Sequence, residues 1–147
     1  MSIIRITKEF RYEGAHALYN YDGKCRNIHG HSYVLYVTVK GSPINDESNC
    51  NNGMILDFSD FKRIVNDTIV ERFDHALVLR SEAPMAEELG RAYEKVVLVD
   101  FQPTCENMIQ YFASVIESNL PENVQLFSLK LHESPSSYVE WFADDNR

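Results

Sequence analysis

A chain of 147 residues, 44% of them hydrophobic and 24% charged, is long enough to bury one core but too short for an eightfold β/α barrel, which excludes the barrel-type metallohydrolases. Its 22 acidic residues outnumber 14 basic ones, and the resulting net charge of −8 is spread along the chain, so a nucleic-acid partner is excluded as well. Nothing in the composition points to a membrane span, and Met1-Ser2-Ile3-Ile4-Arg5 runs into an alternating segment without the apolar core of a signal peptide.

Ile4, Ile6, Phe10 and Tyr12 share one parity and Arg5, Thr7, Glu9 and Arg11 the other, which predicts a half-buried first strand with His16 just past its end. Ser32 to Lys40, rich in β-branched and aromatic residues, predicts a second strand with His31 at its start. Gly41 to Gly53 is turn chemistry, and Cys50 within it reads as an inert exposed thiol. From Ser59 the period changes: Phe61, Ile64, Val65, Thr68, Ile69 and Phe73 mark an amphipathic helix that Asp57 or Ser59 caps, and Asp74-His75 follows directly. Ser81 to Tyr93 reads as an acidic helical insertion and Lys95 to Asp100 as a short apolar strand. Gln102 to Asn107 opens another helix, with Met108, Ile109, Phe112, Ile116 and Leu120 on its apolar face and Pro121 stopping it. Val124 to Glu133 alternates again, with Phe127, Leu129 and Leu131 on one face and Glu133 next in that row. Tyr138 to Phe142 is a last strand before a polar tail. Two strands, helices, then two strands predict a single α+β domain, residues 1–147, with helices packed on one face of an antiparallel sheet. The other face carries Val34 and Tyr36 and calls for the cover that oligomers supply.

The chemistry gathers in Cys25-Arg26-Asn27-Ile28-His29-Gly30-His31. Histidines at i and i+2 on extended backbone project to one side, so His29 and His31 can converge on one ion, and Gly30 lets backbone approach closely between them. His16 is the third imidazole of an open site, the pattern of catalytic zinc; Cys25 as a fourth ligand would instead close a structural site. The three cysteines, Cys25, Cys50 and Cys105, are odd in number and lack metal-finger spacing, which fits free thiols in a reducing cytoplasm.

In order along the chain, Phe10 to Leu18 with His16, Cys25-x-x-x-His29-Gly30-His31, Gly53-Met54-Ile55-Leu56-Asp57-Phe58, Asp74-His75, Pro103-Thr104-Cys105-Glu106-Asn107 and Leu131-His132-Glu133-Ser134 resemble the 6-pyruvoyltetrahydropterin and 6-carboxytetrahydropterin synthase family. The resemblance implies the tunnelling fold: a four-stranded antiparallel sheet with two main helices on one face, closed into an oligomeric barrel, a homo-trimer or hexamer. It also implies zinc on His16, His29 and His31, Cys25 as catalytic base, Asp74 and His75 as proton-transfer partners, and Glu133 as the pterin anchor. The Cys25-to-His29 spacing looks like the bacterial carboxy enzyme, and the stretch from Leu79 to Phe101 is longer than in compact members.

The implied substrate is 7,8-dihydroneopterin triphosphate, and the implied reaction releases acetaldehyde and triphosphate to give 6-carboxytetrahydropterin, a cytoplasmic step toward queuosine and other 7-deazaguanine nucleosides. The alternatives are the pyruvoyl synthase reaction, which eliminates triphosphate, simple aldolytic removal of the side chain, and a non-enzymatic structural zinc module. A thiolate near a dication exists at neutral pH and suits a proton abstraction at carbon. Asp74-His75 reads equally as a solvated helix-end turn. Glu133 can accept two N–H bonds from an aminopyrimidinone edge, and its parity with Leu129 and Leu131 favours a buried partner. Glu106 and Thr104 are possible pocket residues with structural roles of their own, charge at a helix start and N-cap. Lys24 and Arg26 flank Cys25 and offer charge for a triphosphate.

Overall fold

Alternation in the first forty residues produces one long hairpin. In the computed structural model, which describes residues 2–147, β1 (Ile4–His16) pairs antiparallel with β2 (His29–Gly41), unbroken from Ile4↔Gly41 to His16↔His29. His16 is therefore the last residue of its strand rather than a residue beyond it, and β2 starts three residues earlier than its β-branched run suggests, taking in both His29 and His31. Phe10, Tyr12, Tyr33, Leu35, Val37 and Val39 point inward and are buried. The ladder continues with β5 (Gln125–Ser134) antiparallel to β2 and β6 (Ser137–Phe142) antiparallel to β5.

The sheet is not the four-stranded antiparallel one expected. It has six strands in the order β4-β3-β1-β2-β5-β6, because β3 (Ala76–Arg80) joins the free side of β1 in parallel and β4 (Val96–Val99) joins β3 in parallel. The run Ala76-Leu77-Val78-Leu79 lacks alternation because strands covered on both faces do not need it. Between β3 and β4 lies a third short helix, α3 (Ala86–Ala92), entered through Met85 in the left-handed region at φ 66°. The acidic insertion is thus partly helical as expected, and the apolar strand after it is present.

One helical run covers the inner face: α1 (Phe58–Val65), a π-helical turn over Asn66–Val70, and α2 (Glu71–Phe73). Asp57 caps it, its carboxylate accepting from the Ser59 and Asp60 amides. The second cover is α4 (Cys105–Glu117), capped by Thr104, whose hydroxyl accepts from the Asn107 amide at 3.1 Å. Phe61, Val65, Ile69, Phe73, Phe112 and Ile116 are fully buried between these helices and the sheet. Each such side chain contributes about 1.5–3 kcal/mol of burial free energy, so the helix-to-sheet seam dominates the stability.

A register shift between Thr38 and Val39 puts an extra residue in β5, and this reverses part of its predicted face. Leu126 takes the inward place and is buried, whereas Phe127 turns outward under the Arg5 guanidinium, 3.8 Å from its ring centre. Among the described residues, no helix is long and apolar enough to cross a membrane.

Candidate metal centre

The centre sits where the β1–β2 ladder ends. His16 and His29 face each other as register partners, His31 stands opposite Gly14, and all three rings lie on the inward parity. One ligand nitrogen from each lies within 4.8 Å of the other two. A Cβ on Gly14 would come within 3.1 Å of Tyr33 Cε2, so glycine there makes room for the stacked Tyr12–Tyr33 pair, whose ring centroids are 4.7 Å apart. The His31 ring in turn rests edge-on against Tyr33, 5.6 Å between centroids. Gly30 sits where a Cβ would lie 3.2 Å from the Gly14 carbonyl, the close approach its place between the histidines requires.

Two backbone carbonyls fix the tautomers. His16 Nδ1 donates to Pro103 O at 2.7 Å and His29 Nδ1 donates to Asn27 O at 2.7 Å, which leaves both Nε2 atoms bare. Those two lone-pair atoms stand 3.0 Å apart, an arrangement that repels unless a cation lies between the rings. His31 Nε2 is buried without a hydrogen bond. It lies 3.2 Å from Glu133 Oε1, which is also 3.6 Å from His16 Nε2, so one carboxylate oxygen borders the cluster. Nitrogens sharing a tetrahedral zinc are about 3.3 Å apart, and the donor set of three imidazoles with an adjoining carboxylate suits that ion. Burial, the largest influence, holds His16 and His31 below the ordinary histidine range and so keeps them in the neutral, ligating form.

Glu133 occupies a second irregularity, between His132 and Ser134, where β5 and β6 lose register. Burial first and then its carboxylate raise Tyr33, and burial followed by Glu133 pushes the Cys105 thiol up to about 12. Thr104 and Glu106 sit at the cap and in the first turn of α4, where each has a structural reason to be.

Asp74 and His75 pair with each other, Nδ1 to Oδ2 at 3.1 Å, at the end of α2. The turn is tied to β1, since the Glu13 amide donates to Asp74 Oδ1 at 2.8 Å and the His75 amide donates to the Glu13 carbonyl at 2.6 Å. The first of these bonds is the main cause that holds the Asp74 carboxyl below its usual range. His75 adopts φ 63° and is exposed. It shares with His31 a cavity of about 810 Å³, also lined by Glu13, Ser32, Tyr93 and Lys95. Cys25 is exposed in a single 3-10 turn, Lys24–Arg26, and is not one of the three residues whose ligand atoms converge. Lys24 and Arg26 flank it in that turn. The residues that sequence reasoning misses are the carbonyls of Pro103 and Asn27 and the ammonium of Lys95, which donates to the Asp74 carbonyl. A carbonyl carries no residue-type signal; only the fold brings Pro103 to His16.

The family described as 6-pyruvoyl tetrahydropterin synthase matches residues 5–144. A protein of Haemophilus influenzae named 6-carboxy-5,6,7,8-tetrahydropterin synthase is 33% identical over 143 residues, covering 95% of this chain and 99% of that one. A protein of Rickettsia conorii with the same name is 29% identical, covering 94% and 99%. Among solved structures, an uncharacterized protein from Wolinella succinogenes superposes with a TM-score of 0.76 at 20% identity, covering 97% of this chain and 99% of that one. The Caenorhabditis elegans 6-pyruvoyl tetrahydropterin synthase superposes with 0.69 at 21% identity, covering 97% of both chains. With the family matched across nearly its whole length, the chain belongs to the 6-pyruvoyl tetrahydropterin synthase family.

Proposed function

We propose that this protein is a zinc-dependent lyase that converts 7,8-dihydroneopterin triphosphate to 6-carboxy-5,6,7,8-tetrahydropterin, releasing acetaldehyde and triphosphate, in 7-deazaguanine (queuosine) biosynthesis in the cytoplasm. The observation that carries the proposal is the centre itself: three imidazoles with converging ligand nitrogens and a carboxylate at their edge. The relatives that bear the carboxytetrahydropterin name at 28–33% identity support the choice of product. His16, His29 and His31 hold the zinc, which when bound supplies a Lewis acid for the hydroxylated side chain of the pterin.

Glu133 accepts from the N–H edge of the pterin and sets the ring beside the histidines. Cys25 removes a proton from a hydroxyl-bearing carbon of the pterin side chain. His75, oriented by Asp74, exchanges a second proton, and the carbonyl and amide of Glu13 keep that pair in place. Thr104 and Glu106 border the pterin, and Lys24 and Arg26 offer the triphosphate positive charge. The chain acts as a homo-oligomer, trimer or hexamer, through the sheet edges at β4 and β6.

Mass spectrometry of the product formed from dihydroneopterin triphosphate tests the reading. 6-Carboxytetrahydropterin with acetaldehyde supports it, and 6-pyruvoyltetrahydropterin overturns the product assignment. Cys25→Ala should abolish turnover while zinc content stays unchanged; loss of both would make Cys25 a ligand and the site structural.

A further inference from the structure

We infer that Gln102 is the positioning residue that locks the Cys25 loop to the metal centre, through a two-bond clasp between its side-chain amide and the backbone of Tyr19. The inference rests on the proposed role of Cys25 as the base.

The loop between β1 and β2, residues 17–28, has little to hold it. It contributes no buried side chain, contains one 3-10 turn over Lys24–Arg26, and passes through Asn20 at φ 61°. Its own hydrogen bonds are internal: the Leu18 amide donates to the Cys25 carbonyl at 3.0 Å, and the Arg26 and Asn27 amides close the turn on Gly23 and Lys24. Among the described residues, the hydrogen bonds that reach it from outside the β1–β2 hairpin are both made by Gln102. The Tyr19 amide donates to Gln102 Oε1 at 3.0 Å, and Gln102 Nε2 donates to the Tyr19 carbonyl at 2.6 Å.

A primary amide carries a donor and an acceptor side by side, so it can pair with both backbone groups of one residue as a neighbouring strand would. Asparagine is a methylene shorter, and glutamate lacks the donor. Gln102 is itself fixed, since its carbonyl accepts from the Thr104 amide at 2.8 Å and from Asn107 Nδ2 at 3.0 Å, both at the start of α4. The next residue, Pro103, supplies the carbonyl that orients His16. One dipeptide therefore sets a metal-ligating ring with its main chain and the base-bearing loop with its side chain. The path to Cys25 is short: Gln102 holds Tyr19, and the adjoining Leu18 holds the Cys25 carbonyl. A small misplacement of a catalytic group has a large kinetic cost, whereas a half-buried clasp adds little to global stability.

The test uses the full-length, zinc-loaded protein and compares wild type with Gln102→Ala and Gln102→Glu, the second keeping the volume while replacing the donor by an acceptor. Three readouts are taken: hydrogen exchange of the peptide containing Leu18 and Tyr19, the iodoacetamide alkylation rate of Cys25 relative to Cys50 by peptide mass spectrometry, and kcat and KM. Both variants should speed the local exchange, change the Cys25-to-Cys50 ratio by about threefold or more, and lower kcat roughly tenfold with KM within about twofold and zinc retained. Unchanged exchange and alkylation ratio in Gln102→Glu would overturn the clasp. Faster exchange with unchanged kcat would show that the loop needs no such fixing, and would overturn the positioning role. If the wild-type protein leaves dihydroneopterin triphosphate intact, the proposed function fails, and exchange and alkylation still decide the clasp.

Discussion

The three cysteines should divide two to one in a thiol titration of the native protein. Cys25 and Cys50 are exposed, whereas Cys105 is buried, its thiol pushed up to about 12 by desolvation first and by Glu133 and Glu106 after it. At pH 8 a thiol of that kind is ionised to about one part in ten thousand, against about a quarter for an ordinary cysteine near 8.5, a ratio of roughly two thousand. The more basic thiolate is a better nucleophile and recovers some thirtyfold of this, so ionisation alone slows Cys105 by roughly fiftyfold to a hundredfold, before its burial is counted. Ellman's reagent at pH 8 should therefore show two thiols reacting promptly and a third only after guanidinium is added. The same raised pKa gives a pH dependence of stability. Below about pH 7.5 native and unfolded Cys105 are both protonated and the contribution is intact; between about 8.5 and 12 only the unfolded chain ionises. Unfolding then gains up to about 1.4 kcal/mol per pH unit, and buried Tyr12 and Tyr33, also raised, add to the loss at higher pH. A third thiol that reacts as fast as the other two in the folded protein, or a melting temperature flat from pH 8.5 to 11, would refute this account.

Glu133→Gln should weaken binding of a pterin roughly tenfold to a hundredfold, about 1.5–3 kcal/mol, with melting temperature little changed; fluorescence titration checks it, and unaltered affinity would move the anchor to Glu106. Gly14→Ala would put a methyl 3.1 Å from Tyr33 Cε2 and 3.3 Å from Tyr12 Cε2. It should cost about 1–3 kcal/mol in a urea melt and weaken zinc retention by shifting the ring under His31, whereas a native midpoint would mean the tyrosines yield freely. Inactive Cys25→Ala and inactive His75→Ala proteins, dissociated and reassembled together, should regain activity if the two groups serve one site from different chains; silence in proven mixed oligomers would place each site within one chain.

The hairpin, both helix caps and the clustering of three histidines were legible in the sequence because each is written in local side chains: strict alternation, Asp57 and Thr104 before amphipathic runs, and His-x-His on extended backbone. β3 was not, since Ala76-Leu77-Val78-Leu79 is apolar on both parities and short, and a parallel partner is a non-local fact. Phe127 was assigned to the wrong face because a bulge displaces parity by one residue and leaves no mark in composition. Glu133 was correctly placed beside the core side of its strand, but its approach to His16 and His31 depends on how three strands meet.

The pairing of His16 with His29 as the final rung of a thirteen-residue ladder gives the centre a rigid bite. Metal sites assembled from loops adapt to the ion that arrives, and each ion imposes its own distances. Here hydrogen-bonded backbone sets the spacing between imidazoles before any ion arrives. Chelation then pays little of the entropy of gathering its ligand-bearing backbone, and removing the ion should leave the hairpin folded while the rings, no longer bridged, turn their bare nitrogens apart. Such a frame selects by fit: ions whose preferred coordination stretches or flattens the trio must strain the whole hairpin to bind, and exchange among those that do fit needs no unfolding.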